Sequence, residues 1–197
     1  MTERARKIAI PLAAFLFGFV ALGVAMVLTL TPGGRDVAPS SVGGPFALVD
    51  HHGREVTHET FLGEPHLIFF GFTHCPDVCP TKLFEIAQIL EAAAEQGREM
   101  KALFITVDPR RDTPEIMGSY VSSFDDRIIG LTGTQEQIDE VVRAYRAYKR
   151  ETPLDDGDYT MDHTAIVYIM DGQGRFVTAL DTTREPGEAA RELLRQI

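Results

Sequence analysis

The chain has 197 residues, 44% of them hydrophobic, with 19 basic and 29 acidic side chains and a formal net charge of −10. Arg4, Arg6, Lys7 and Arg35 but only one acidic residue, Glu3, precede Asp36, so the remainder is more acidic still. That balance argues against nucleic acid as a partner, would draw in a cationic one, and leaves length for one domain with a real core.

Taken in chain order, the first feature is the uncharged run Ile8 to Leu30, interrupted only by Pro11, Gly18, Gly23 and Thr29. A helix of about 20 apolar residues crosses a bilayer. With Arg4, Arg6 and Lys7 ahead of it, the positive-inside rule makes 1–7 a cytoplasmic N-terminus and 8–30 a single-pass transmembrane anchor. A cleaved signal peptide has a shorter core of about 7–15 apolar residues, and only Gly23-Val24-Ala25 weakly resembles its cleavage site. The expected location is therefore a bacterial inner membrane with the folded part in the periplasm. Residues 31–45, rich in Pro, Gly and Ser, read as a flexible tether, leaving 46–197 as the domain.

Within that domain, Phe46 to Val49 and Val56-Thr57 flank His51-His52-Gly53 as a hairpin. Leu67 to Phe72 is a buried strand by composition. Thr81 to Gln96 repeats Leu83, Phe84, Ile86, Ala87, Leu90, Ala93 and Ala94 at helical spacing and stops at Gly97. Ala102 to Val107 is a second buried strand, and Asp112-Thr113-Pro114-Glu115 opens a helix. A short strand at Ile128 to Leu131 and an amphipathic helix from Thr134 to Tyr148 follow. Ala165 to Met170 and Phe176 to Leu180 straddle the turn Asp171-Gly172-Gln173-Gly174, and Glu185 to Gln196 closes the chain as a helix. This is the order of an α/β thioredoxin-like sandwich with an added N-terminal β-hairpin and a mid-chain insertion, preceded by one transmembrane helix. In such a sheet the loops after parallel strands carry function. The Cys75 loop and the loop Asp108-Pro109-Arg110-Arg111 should therefore meet at one edge.

Cys75 and Cys79, the only cysteines, sit where a strand feeds a helix, and a helix N-terminus favours the thiolate. Three readings compete. A structural disulfide suits an oxidising compartment but closes a very small loop and removes little unfolded-state entropy. A dithiol oxidoreductase is the second reading, although its usual spacing is C-x-x-C and here it is C-x-x-x-C. The third is a metal site, because four-residue spacing puts both sulfurs on one face of the first helical turn. Two thiolates suit Cu(I) or zinc; one added histidine leaves a low-coordinate site that suits copper better than closed tetrahedral zinc. His51, His52, His58 and His66 are expected to be solvated. His74 is next to Cys75 but points the other way, which disfavours ligation and leaves a tuning role. His163, in Met161-Asp162-His163-Thr164 before a strand, lies in the loop that faces the cysteines in this topology.

The segments Gly71-Phe72-Thr73-His74-Cys75-Pro76-Asp77-Val78-Cys79-Pro80, Val107-Asp108-Pro109-Arg110-Arg111-Asp112-Thr113-Pro114-Glu115 and Asp162-His163-Thr164 resemble the SCO (SenC) family of copper proteins, from about Pro45 to the C-terminus. The resemblance implies that Cys75, Cys79 and His163 ligate Cu(I) or Cu(II). It also implies a metallochaperone, not an enzyme with turnover, that delivers copper to the binuclear centre of cytochrome c oxidase subunit II. A thiol-disulfide reductase for the same subunit, or a redox sensor, is the alternative it leaves, with Cys75 and Cys79 as a redox-active dithiol able to form a disulfide bond. A second periplasmic copper chaperone or a thioredoxin-like reductant would be a further partner. Around the ligands, Asp108 is a candidate to orient His163, Asp162 to support its loop and His74 to tune the site. Asp77, Asp112 and Thr113 read as helix caps, and Arg110 and Arg111 as charges at a docking rim.

Overall fold

The computed structural model describes residues 18–20 and 42–197. The anchor at 8–30, apart from the helical Gly18–Val20, and the tether up to residue 41 lie outside the described residues. Among those described, no helix is long and apolar enough to cross a membrane. The domain runs β1 (Ala47–Asp50), β2 (Glu55–Thr57), a 3-10 turn (His58–Phe61), β3 (His66–Gly71), α1 (Val78–Glu95), β4 (Lys101–Thr106), α2 (Pro114–Val121), β5 (Ile128–Thr132), α3 (Gln135–Ala144), β6 (Lys149–Pro153), β7 (Tyr159–His163), β8 (Val167–Met170), β9 (Phe176–Leu180) and α4 (Pro186–Gln196).

Seven strands form one mixed sheet in the order β2-β1-β5-β4-β3-β8-β9, while β6 and β7 pair apart from it. β3, β4 and β5 are mutually parallel, and β8 runs antiparallel to β3. All six residues of β3 are buried, as a central strand covered on both faces must be. The helix α1 turns Leu83, Ile86, Leu90 and Ala93 inward at helical spacing and packs against α4, and α2 lies on β5. The expected thioredoxin-like α/β order, with its added hairpin β1–β2, is present. The register then fixes the functional edge. Gly71 ends β3 opposite Thr106 at the end of β4, so the cysteine loop and the Asp108 loop leave the sheet side by side.

Four local expectations change. The helix α1 starts at Val78, three residues earlier than the apolar pattern indicates, which puts Cys79 in its first turn. Ala165 and Ile166 stay outside β8 and are exposed. α3 ends at Ala144, with Arg146 at φ 54, a conformation no helix continues through. Beyond it, β6 and β7 form a hairpin that periodicity does not reveal. Lys149-Arg150-Glu151-Thr152-Pro153 has no alternating apolar face, and its turn rests on Gly157 at φ 87.

Candidate metal centre

The buried Phe72 carries the chain out of β3, and its carbonyl accepts from the Cys75 amide at 3.3 Å, turning the loop back on itself. Cys75 is half-buried in this loop, and Cys79 is fully buried behind it. Both are free thiols, and the Cys79 amide donates to Cys75 Sγ at 3.3 Å. On the opposite side, His163 ends β7 with Nε2 3.4 Å from Cys79 Sγ. Its Nδ1–H donates to the Thr164 carbonyl at 3.0 Å, a bond that fixes the tautomer and leaves the Nε2 lone pair for a ligand. The rings of Phe69 and Phe72 stand edge-on to the imidazole at 6.2 and 5.8 Å.

Cys75 Sγ, Cys79 Sγ and a His163 ring nitrogen thus lie within 4.8 Å of one another, the one group of three potential metal ligands of the His, Cys, Asp and Glu types among the described residues. Two soft sulfurs and an imidazole at that separation fit one copper ion with a coordination position left open. Burial lowers the His163 pKa, so its ring is neutral and ligand-ready at neutral pH. At Cys79 the expectation of a lowered pKa is overturned. Burial pushes this thiol up, and the Phe72 amide pulls only partly the other way. Desolvation of the charged form outweighs the helix terminus here, so the incoming metal must displace the proton.

Of the remaining predicted residues, some sit as their sequence reading had them and others do not. Asp108 is buried and reaches His163 only indirectly: its carboxylate accepts from the Arg111 Nε–H and, at 3.0 Å, from the Tyr159 hydroxyl. The Arg111 guanidinium carbon sits 3.8 Å from the centre of the Tyr159 ring, and the side chain donates to the Tyr159 carbonyl at 3.0 Å. It is therefore part of a clasp that seats the hairpin carrying His163, not a free charge at a rim. Arg110 is exposed and paired with Glu151. Asp162 accepts from Arg150 at 2.7 Å and Thr152 at 3.0 Å across the β6–β7 pair, bracing the strand next to His163. His74 is exposed and stands outside the three-ligand group, with Nδ1 3.1 Å from the Thr73 hydroxyl.

Asp112 is not a helix cap; Thr113 caps α2. The Asp112 carboxylate is completely buried and accepts from the Thr73 amide and hydroxyl and from the Thr106 hydroxyl. Asp77 stands at the cap position of α1, but its side chain makes no cap hydrogen bond. Of the histidines expected in solvent, only His52 is exposed; His66 is buried, with Nδ1–H on the Glu64 carbonyl. Tyr159 belongs to a hairpin whose one sequence signal is the turn Asp155-Asp156-Gly157.

Gly71 explains how backbone and thiol come so close. A Cβ there would lie 2.6 Å from the Phe104 ring edge and 2.8 Å from Cys79 Sγ. Gly71→Ala is expected to destabilise the metal-free protein by about 1–3 kcal/mol through overpacking. Denaturant unfolding would reveal this as a lower midpoint at unchanged slope. An unchanged midpoint would mean that the thiol yields at no cost.

Comparison with known proteins bears on the same region. A family model described as SCO1/SenC matches residues 35–197. The human mitochondrial protein SCO1 homolog is 41% identical over 162 residues, which are 81% of this chain and 54% of the human one. The chain spans about half the length of the curated relatives it matches. Bradyrhizobium japonicum ScoI, solved with copper bound, is 51% identical with a TM-score of 0.75, across 79% of this chain and 99% of that one. Arabidopsis thaliana ScoI, also with copper bound, is 36% identical with a TM-score of 0.75 over the same shares, 79% and 99%.

Proposed function

The chain belongs to the SCO1/SenC family, and on that premise we propose that it is a membrane-anchored copper chaperone with a periplasmic domain. It holds one copper ion, Cu(I) or Cu(II), on Cys75, Cys79 and His163 and delivers it to the binuclear centre of cytochrome c oxidase subunit II. The convergence of those three ligand atoms within 4.8 Å carries this reading. The apolar run 8–30 behind Arg4, Arg6 and Lys7 supports the anchor and its orientation.

Copper is cargo here, and the burial of its ligands suits a cargo site. Cys79 holds the ion from the buried side, while Cys75 and His163 are half-buried in front of it. An acceptor thiolate approaching from the Cys75 side enters the open position before the donor ligands let go, so the ion is never released to water. In an anaerobic titration of the reduced, detergent-solubilised protein, one Cu(I) per chain is expected. His163→Ala should weaken it at least about tenfold, since losing a mere supporting contact already costs about 10–100-fold. No uptake, or equal affinity in that variant, would sink the reading.

The arrangement of a half-buried Cys75 in front of a buried Cys79 favours a second reading, a thiol-disulfide reductase for the same subunit. Cys75 thiolate would attack the partner disulfide and expel one partner thiolate; Cys79 would then attack Cys75 Sγ and expel the other. The two electrons pass to the partner, this dithiol becomes a disulfide, and a thioredoxin-like reductant must restore it. Reductase turnover that survives His163→Ala but not Cys75→Ala would select this reading.

A further inference from the structure

The N-terminal hairpin is joined to the sheet by a short seam. β1 pairs with β5 at two positions, Val49 with Thr132 and Asp50 with Leu131. Where β1 ends, His51 closes the seam twice. Its amide donates to the Gly130 carbonyl at 2.9 Å, and its ring Nδ1 lies 3.0 Å from the Gly130 amide nitrogen. A backbone amide can only donate, so Nδ1 is the acceptor and the proton of the neutral ring sits on Nε2. The same residue is held from the helix layer. A Cβ on Gly118 of α2 would lie 3.4 Å from the His51 carbonyl oxygen and 3.7 Å from the ring Cδ2.

A proton added to Nδ1 removes the acceptor and sets one N–H against another. The ring then has room to leave, because a cavity of about 470 Å³ opens beside it. From its own hairpin, His51 is faced by Asp50, His52 and Arg54. Asp50 is already committed to the Arg54 side chain and the His52 amide, and the His52 ring stands 4.1 Å away. From the loop between α2 and β5, the cavity receives Asp125, which pairs with Arg127 at 2.6 Å, and the exposed Asp126. α2 and β5 line it with the uncharged Gly118, Val121, Ser122 and Ile128. An imidazolium swung into this space therefore meets two carboxylates.

We propose that His51 is a proton-operated latch on the domain's first hairpin: neutral, its ring locks the turn to β5; protonated, it leaves Gly130 for the acidic cavity and the turn comes free of the sheet. Burial and the neighbouring His52 lower the His51 pKa, so the latch is shut at neutral pH. The folded ring resists the proton more than the unfolded one. Its contribution is thus complete above the ordinary histidine range and fades as pH falls through it towards the depressed value.

The test is amide exchange by NMR on the full-length protein in detergent, with each rate corrected for its intrinsic pH dependence. Protection of the Gly130 amide should fall about tenfold between about pH 7.5 and pH 5, roughly the worth of one hydrogen bond, while the amides of β3 stay protected. His51→Gln keeps an acceptor that does not titrate and should hold Gly130 protection level across that range. His51→Phe has no acceptor and should leave Gly130 unprotected throughout. The inference is overturned if parental protection does not change with pH or if His51→Gln loses it as the parent does. It is overturned equally if β3 opens at the same pH, since that is unfolding of the whole domain. Copper plays no part in the readout, so the copper-chaperone reading can fail without touching this one.

Discussion

At pH 7 the Cys79→Ala protein is expected to hold Cu(I) more than about a hundredfold more weakly than the parent, because losing even a contact behind a ligand costs about 10–100-fold. Its affinity should also climb less steeply with pH. The Cys79 thiol is buried and its pKa stands above the ordinary thiol value, so it is protonated throughout the neutral range. Each copper bound expels that proton, and the parent gains about tenfold in affinity per pH unit from this one group. His163 adds no such slope above its depressed pKa, where the ring is already neutral. Competition against a Cu(I) chelator at about pH 6 and pH 8 measures both effects. Equal slopes in parent and variant would show that Cys79 gives up no proton and is not a ligand. The elevated pKa also gives the free site a reason to stay quiet: a thiol that remains protonated is a poor nucleophile until metal or a partner engages it.

Sequence alone made the sheet and the grouping of Cys75, Cys79 and His163 legible for identifiable reasons. The central strand β3 is apolar on both faces, and the β8–β9 turn carries Asp171-Gly172-Gln173-Gly174, so neither needs tertiary information. His163 stood out because topology, not its local sequence, turns its loop towards the cysteines. What escaped was held by contacts between distant segments. The β6–β7 hairpin has little apolar surface of its own and is seated by Arg111, Tyr159 and Asp108, which lie 48 and 51 residues apart across the clasp. His66 looked polar and solvated because it begins its strand, yet it is enclosed between Phe61 and β8. A helix terminus predicts an activated thiol at Cys79; its depth in the core reverses that, and depth is not written in a motif.

Asp112 is the costliest misreading and the source of the second large effect. In sequence it stands before Thr113-Pro114-Glu115, where a cap is the local expectation. In the fold it ties three elements together. Its carboxylate takes the Thr73 amide at 3.1 Å and the Thr73 and Thr106 hydroxyls at 2.6 Å, and its own carbonyl accepts from Thr132 on β5 at 2.7 Å. Asp112→Ala would leave the three side-chain-bound donors without an acceptor and is expected to cost about 2–4 kcal/mol. For a domain of this size that lowers Tm by roughly 10 °C, read by calorimetry. Asp112→Asn keeps one acceptor oxygen and should fall between parent and Ala. The charge itself is not what stabilises. Burial raises the carboxyl pKa against the pull of Thr106 and Thr73. The protonated form is therefore favoured by folding, and this group's contribution is full below the ordinary carboxylate pKa and fades as pH rises through its folded value. An Ala variant as stable as the parent would refute the tie. Thr73 lies two residues before Cys75, so the same variant should loosen the cysteine loop and weaken copper binding about tenfold even where it stays folded. A carboxylate that binds no metal thereby sets how firmly the two sulfurs are presented to one.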